Sequence, residues 1–148
     1  MVLFLAGGSG YTRRQGLRRL KRRLGNVPGA SNIRYEPSAI KPTAVVVDVD
    51  IEMFLQEPFP RDTGRLEIVW RPREATDLQR VQWIDDAVSV GWHKDRDHSD
   101  LGTTHFQRER GDGATPQREP AHIEVEAPVS FLEICLDRLP DRIRETSG

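Results

Sequence analysis

Residues 92–107, WHKDRDHSDLGTTHFQ, hold three of the chain's four histidines, His93, His98 and His105, together with Lys94, Asp95, Asp97 and Asp100. An imidazole with an unperturbed pKa of about 6.5 exchanges protons near neutral pH and serves as general acid or base. A neighbouring cation, Lys94 or Arg96, steadies charge developing on a phosphate. These are the parts of a metal-independent ribonuclease, in which one group takes the proton of a ribose 2′-hydroxyl and another protonates the leaving oxygen. His93 and His105 are the candidates for those two roles, since they stand at the two ends of the stretch and can return on adjacent strands. Mixed imidazole and carboxylate ligands equally suit a divalent ion such as zinc, manganese or iron. The ligands would be His93, Asp95 or Asp97, His98 and His105, at spacings that match no standard zinc signature. A third account is a polar loop on a solvated surface, with His122 a strand-surface residue. All three stay open at this level, and the residue types call for no cofactor.

The stretch must be positioned by what precedes and follows it. Gln79 to Ile84 and Ala87 to Trp92 are rich in β-formers and flank Asp85-Asp86, a tight connection of the kind a hairpin needs. If Trp92 faces the core, His93 points to the opposite face and a loop beginning at Lys94 leaves the sheet edge. Arg65 to Trp70 reads as an earlier strand, with Leu66, Ile68 and Trp70 on one face. Trp70, Trp83 and Trp92 can stack bases, but their in-phase placement favours core packing. Thr103 to Gln107 reads as a short strand, 108–120 as an exposed loop, and His122 to Ala127 as a final strand. Ser130 and Glu133 make a capping box for a helix that presents Val129, Leu132, Leu136, Leu139 and Ile143 on one face, and that Pro140 should stop or kink. No alternation of strands and helices argues for a parallel sheet. The expected fold class is α+β: a small antiparallel sheet with a C-terminal helix packed on one face.

Upstream, residues 12–25 read as a basic helix with Leu17, Leu20 and Leu24 on one face, a Thr12/Gln15 capping box and Gly25 as its stop. Its other face is almost all Arg and Lys, which suits a nucleic-acid or anionic-membrane contact, whereas three leucines alone leave so short a helix frayed. Residues 26–42 contain three prolines and no period, so they read as a linker. The division expected is residues 1–42 as basic helix and linker, and 43–148 as a single α+β domain. Val45, Val47, Val49, Ile51 and Met53 alternate along one strand face across 43–55. Residues 53–148 also look self-contained, with Met53 as an alternative start and the basic third as an extension.

The net charge of −1 conceals a split: nine Lys+Arg against four Asp+Glu in residues 1–52, and thirteen against nineteen thereafter. Cys135, the single cysteine, excludes an internal disulfide framework and any CxxC motif, and reads as a small buried residue. The opening apolar run is too short to span a bilayer, so the expectation is a cytoplasmic protein with no membrane partner.

From Arg80 onward the order of features resembles the TumE-type family, the toxin partners of two-gene toxin-antitoxin modules. The resemblance lies in a hairpin (RVQWIDDAVSVGW), a polar loop behind its second strand (HKDRDHSDLG), a short His-bearing segment (TTHFQ) and a strand leading into a capped helix (HIEVEAPVSFLEICLDRL). Trp92, His93, Lys94 and Asp95 take the place of the segment that ends the family's hairpin, and Gly102 to His105 that of its Gly/His-rich stretch. A family histidine pair is reduced here to His105, the loop is longer, and 108–120 has no counterpart. The resemblance implies a small cytoplasmic toxin acting on RNA or the translation machinery, neutralised by an antitoxin protein encoded beside it. It carries functional residues over only onto His105 and Asp95. The reaction-centre residues expected are thus His93, Lys94, Asp95 and His105. The alternative from another class is a non-catalytic module whose sheet edge or apolar helix face binds a protein.

Overall fold

Among the described residues, seven strands follow one another in the chain and in space, each pairing with its sequence neighbours in antiparallel fashion. The computed structural model describes residues 8–40, 42–71, 77–95, 103–111 and 113–145. The elements are α1 (Gly8–Leu24), β1 (Ala30–Glu36), β2 (Ala44–Asp50), α2 (Ile51–Leu55), β3 (Thr63–Arg71), β4 (Leu78–Ile84), β5 (Val88–Lys94), β6 (Thr104–Arg110), β7 (Gln117–Pro120) and α3 (Pro128–Glu145). The fold is α+β, as expected, with the C-terminal helix on the sheet. Among the described residues no helix is long and apolar enough to cross a membrane.

The alternation of side chains along each strand gives the sheet two unlike faces. One carries Val45, Val47, Val49, Leu66, Ile68, Trp70, Val81, Trp83, Val90, Trp92 and Phe106, all buried in one cluster. Two helices lie against it. Helix α1 packs on β1, β2 and β3 and against α3, which reaches β4 and β5. The leucine stripe of α1 is fully buried, so tertiary packing holds a helix that isolated propensity would leave frayed. It starts at Gly8, which puts Thr12 inside the helix and not at a cap. Arg23 pairs with Glu133 across the α1–α3 seam. Trp70 lies over Gly16, where any Cβ would run into its six-membered ring. Gly16→Ala should therefore overpack this contact and cost about 1–3 kcal/mol, read as a lowered urea midpoint with an unchanged slope.

Several boundaries differ from those the sequence suggests. Residues 26–42 are not a linker throughout: Pro28, Pro37 and Pro42 lie outside Ala30–Glu36, which pairs with β2 and sets Ile33 and Tyr35 against the core. The strand expected over 43–55 ends at Asp50, whose carboxylate accepts from the Met53 amide and caps α2. Ile51 therefore stays buried while Met53 turns out to solvent, 58% exposed. Nor is 53–148 self-contained, because α1, β1 and β2 supply part of the same core.

The loop expected over 108–120 instead contains the end of β6 and all of β7. The strand expected over 122–127 is absent. His122 takes a positive φ of 56° there, and the segment crosses the core as irregular chain. In α3 the Ala127 carbonyl accepts from the Phe131 amide, so the helix begins at Pro128 and Ser130 is not its cap. It continues through Pro140 to Glu145, with Leu139 and Ile143 fully buried on either side of the proline.

Candidate functional site

The β4–β5 hairpin turns on Asp85, whose Oδ1 accepts from the Ala87 and Val88 amides and whose Oδ2 accepts from Trp83 Nε1 at 2.9 Å. Arg61 closes on the same carboxylate at 3.0 Å. This anchor fixes the register in which Arg80 faces His93 across β4 and β5, while His93 faces His105 across β5 and β6. Arg80, His93 and His105 thus form one row on the face that neither helix covers. Strand β5 runs two residues beyond Trp92, so His93 points to the opposite face as expected, while Lys94 is still a strand residue and not the start of the loop. Asp95 follows two positions on, where the ladder continues by its amide bonding the Thr103 carbonyl at 3.2 Å. The period of two returns Asp95 to the face of His93.

The imidazoles of His93 and His105 meet edge to face, with centroids 5.0 Å apart. His93, Asp95 and His105 each offer a ligand atom, and all three atoms lie within 4.8 Å of one another. His93 and Asp95 are partly exposed, whereas His105 is buried to 1% exposure. His93 Nε2 lies 2.7 Å from Gln82 Oε1. Because the amide oxygen only accepts, Nε2 donates, and the lone pair of a neutral His93 falls on Nδ1. The other end of the same amide donates to Ser89 Oγ.

Gly91 lets this arrangement exist. A Cβ there would strike Gln82 Oε1 and come within 2.6 Å of the Val81 carbonyl. Glycine is required by the close passage of the Gln82 side chain over β5 on its way to His93.

Lys94 does not belong to this group. It alternates to the helix-covered face, is 6% exposed, and its Nζ donates to the Val125 carbonyl at 3.1 Å. Gln79 and Thr104, its cross-strand neighbours, donate to the carbonyls of Glu126 and Ile123, and Arg138 donates to that of Ala121. Four side chains thus satisfy four of the six carbonyls of the irregular crossing at 121–126. The expected oxyanion role of Lys94 is corrected by the face it occupies. Arg96, Asp97, His98 and Asp100 lie outside the described residues. His122 is exposed and lies two residues beyond Pro120, the β7 partner of His105, in the irregular segment past the ladder. The three tryptophans are core residues, as their phase implies. Cys135 is buried in α3, and burial pushes its thiol pKa up, which removes it as a nucleophile.

No protein-family model, curated protein or solved structure matches the chain. The reading of the site rests on its chemistry. Sequence reasoning had missed Arg80, Gln82 and Gly91, because their relation to His93 is one of register and not of spacing.

Proposed function

We propose that the protein acts on RNA as a TumE-type toxin, with its reaction centre at His93, Asp95 and His105 on the sheet face opposite the helices. The observation that carries this reading is the row Arg80–His93–His105 on three consecutive strands. His93 has the exposure to meet a substrate and the defined tautomer to take a proton at Nδ1. The exposed Arg80 stands one strand away and supplies a guanidinium fork for a phosphate. His105, buried behind His93, holds its ring from the other side. A polyanion also needs a basic surface to collect it. The outer side of α1 offers exposed Arg14, Arg18, Arg19 and Arg22, for which no ion pair is seen among the described residues.

Induced in a cytoplasmic host, the full chain should arrest growth and cleave RNA. His93→Ala should reduce cleavage by about 10²–10⁴-fold, the range for loss of a general acid or base. Co-expression of the antitoxin encoded beside it should restore growth. Intact RNA with folded wild-type protein would transfer the reading to the non-catalytic interaction module. For that module the β7 edge is a poor docking strand, being four residues long with Arg118, Glu119 and Pro120 along it.

A further inference from the structure

We infer that His93, Asp95 and His105 form a binding site for one divalent transition-metal ion, with three protein ligands and a position left open to solvent. Two imidazoles and one carboxylate are a donor set for zinc, iron or cobalt, and three protein ligands with one vacant position is the arrangement of reactive sites. The β5–β6 register brings His105 opposite His93, and Asp95, the first residue past β5, follows His93 by two positions onto the same face. Metal–ligand bonds of about 2.0–2.2 Å put ligand atoms roughly 3–4 Å apart. A cluster already within 4.8 Å is therefore close to the separation an ion requires.

The surroundings match the chemistry. A ligating histidine commonly donates its second ring nitrogen to an oxygen, which fixes the tautomer and raises its basicity. Gln82 Oε1 stands in that position for His93, 2.7 Å from Nε2. Burial of His105 holds one ligand rigidly, while the partial exposure of His93 and Asp95 gives the ion a way in. Arg80 is the cation next in the row, and its exposure leaves its charge screened by solvent.

The site does not depend on the RNA reading. Where both hold, they exclude each other in time, since a ring nitrogen carrying an ion cannot carry a proton. Zinc should then suppress RNA cleavage and a chelator restore it.

The test is titration of the purified full chain with cobalt(II), followed by visible absorption, and equilibrium dialysis against zinc, both without RNA. The expected result is one ion per chain with a d–d band of low coordination number. Binding should be lost in His93→Ala and weakened at least tenfold in Asp95→Asn, both at partly exposed positions where folding can be checked by circular dichroism. Gln82→Ala should weaken it by about 10–100-fold, the usual effect of removing such a support. Absence of stoichiometric binding to the folded wild type, or binding unchanged in His93→Ala and Asp95→Asn, overturns the site. Ion binding without RNA cleavage retains the site and removes the RNA reading; cleavage without ion binding does the reverse.

Discussion

Begun at Met53, the chain is expected to be unfolded. Residues 8–52 place Leu17, Leu20, Leu24, Val27, Val45, Val47, Val49 and Ile51 in the core shared with β3, β4 and α3. Removing them strips the layer over Leu66 and Ile68 and leaves β3 as a raw edge with its β2 ladder unpaired. A buried aliphatic side chain contributes about 1.5–3 kcal/mol, so eight of them rival the whole stability of a domain, about 5–15 kcal/mol. Area-based values are upper bounds, yet even half of this sum removes the margin. Far-UV circular dichroism and amide dispersion of residues 53–148, compared with the full chain, check the expectation. A dispersed spectrum with a cooperative melt from the shorter chain would refute it. For the same reason, growth and RNA assays belong on the full chain.

The charge changes sign at residue 52, but charge is a surface property and no boundary of packing falls there. The basic residues of α1 lie on its outer side, while the leucines beneath them belong to the common core. The strands with regular apolar alternation, β3, β4 and β5, were legible because alternation records a half-buried face. Strands β1 and β7 were not. The Gln117–Pro120 strand is exposed at all four positions and is held by its ladder to β6, so no hydrophobic pattern marks it. The end of β2 was misread for a related reason. Ile51 continues the apolar alternation of the strand, but Asp50 caps a helix there, and a cap outweighs one more position of apparent period.

At the candidate site, composition located the region and register decided its members. His93 and His105 were legible as the two ends of a polar stretch, and they meet as cross-strand neighbours. Their partner on β4 was hidden by the turn. A two-residue turn at Asp85-Asp86 would set Leu78 opposite His93. Instead the Asp85 amide bonds the Val88 carbonyl, which moves the turn one residue along to Asp86-Ala87 and sets Arg80 there. Both registers keep the same residues inside, so the apolar pattern alone does not distinguish them.

Lys94→Ala is expected to destabilise the fold by about 2–5 kcal/mol while leaving ion binding at His93, Asp95 and His105 unchanged. The aliphatic stem of Lys94 is buried like that of a methionine, and truncation of such a side chain falls in this range. The Val125 carbonyl also loses its Nζ–H donor, which adds a desolvated acceptor to the cavity. Because adjacent residues of a strand point to opposite faces, the damage falls on the 121–126 crossing and on the seat of α3, with the sheet between it and the histidines. Lys94→Met separates the two contributions: it restores the stem without the donor and should recover most of the loss. Urea denaturation of the three proteins, alongside cobalt titration of each, reads both effects. A Lys94→Met protein of near-normal stability that has lost ion binding or RNA cleavage would return Lys94 to the reaction centre. Unimpaired binding in a weakened Lys94→Ala protein would assign the only lysine in the His/Asp stretch to packing, and the chemistry to the residues on either side of it.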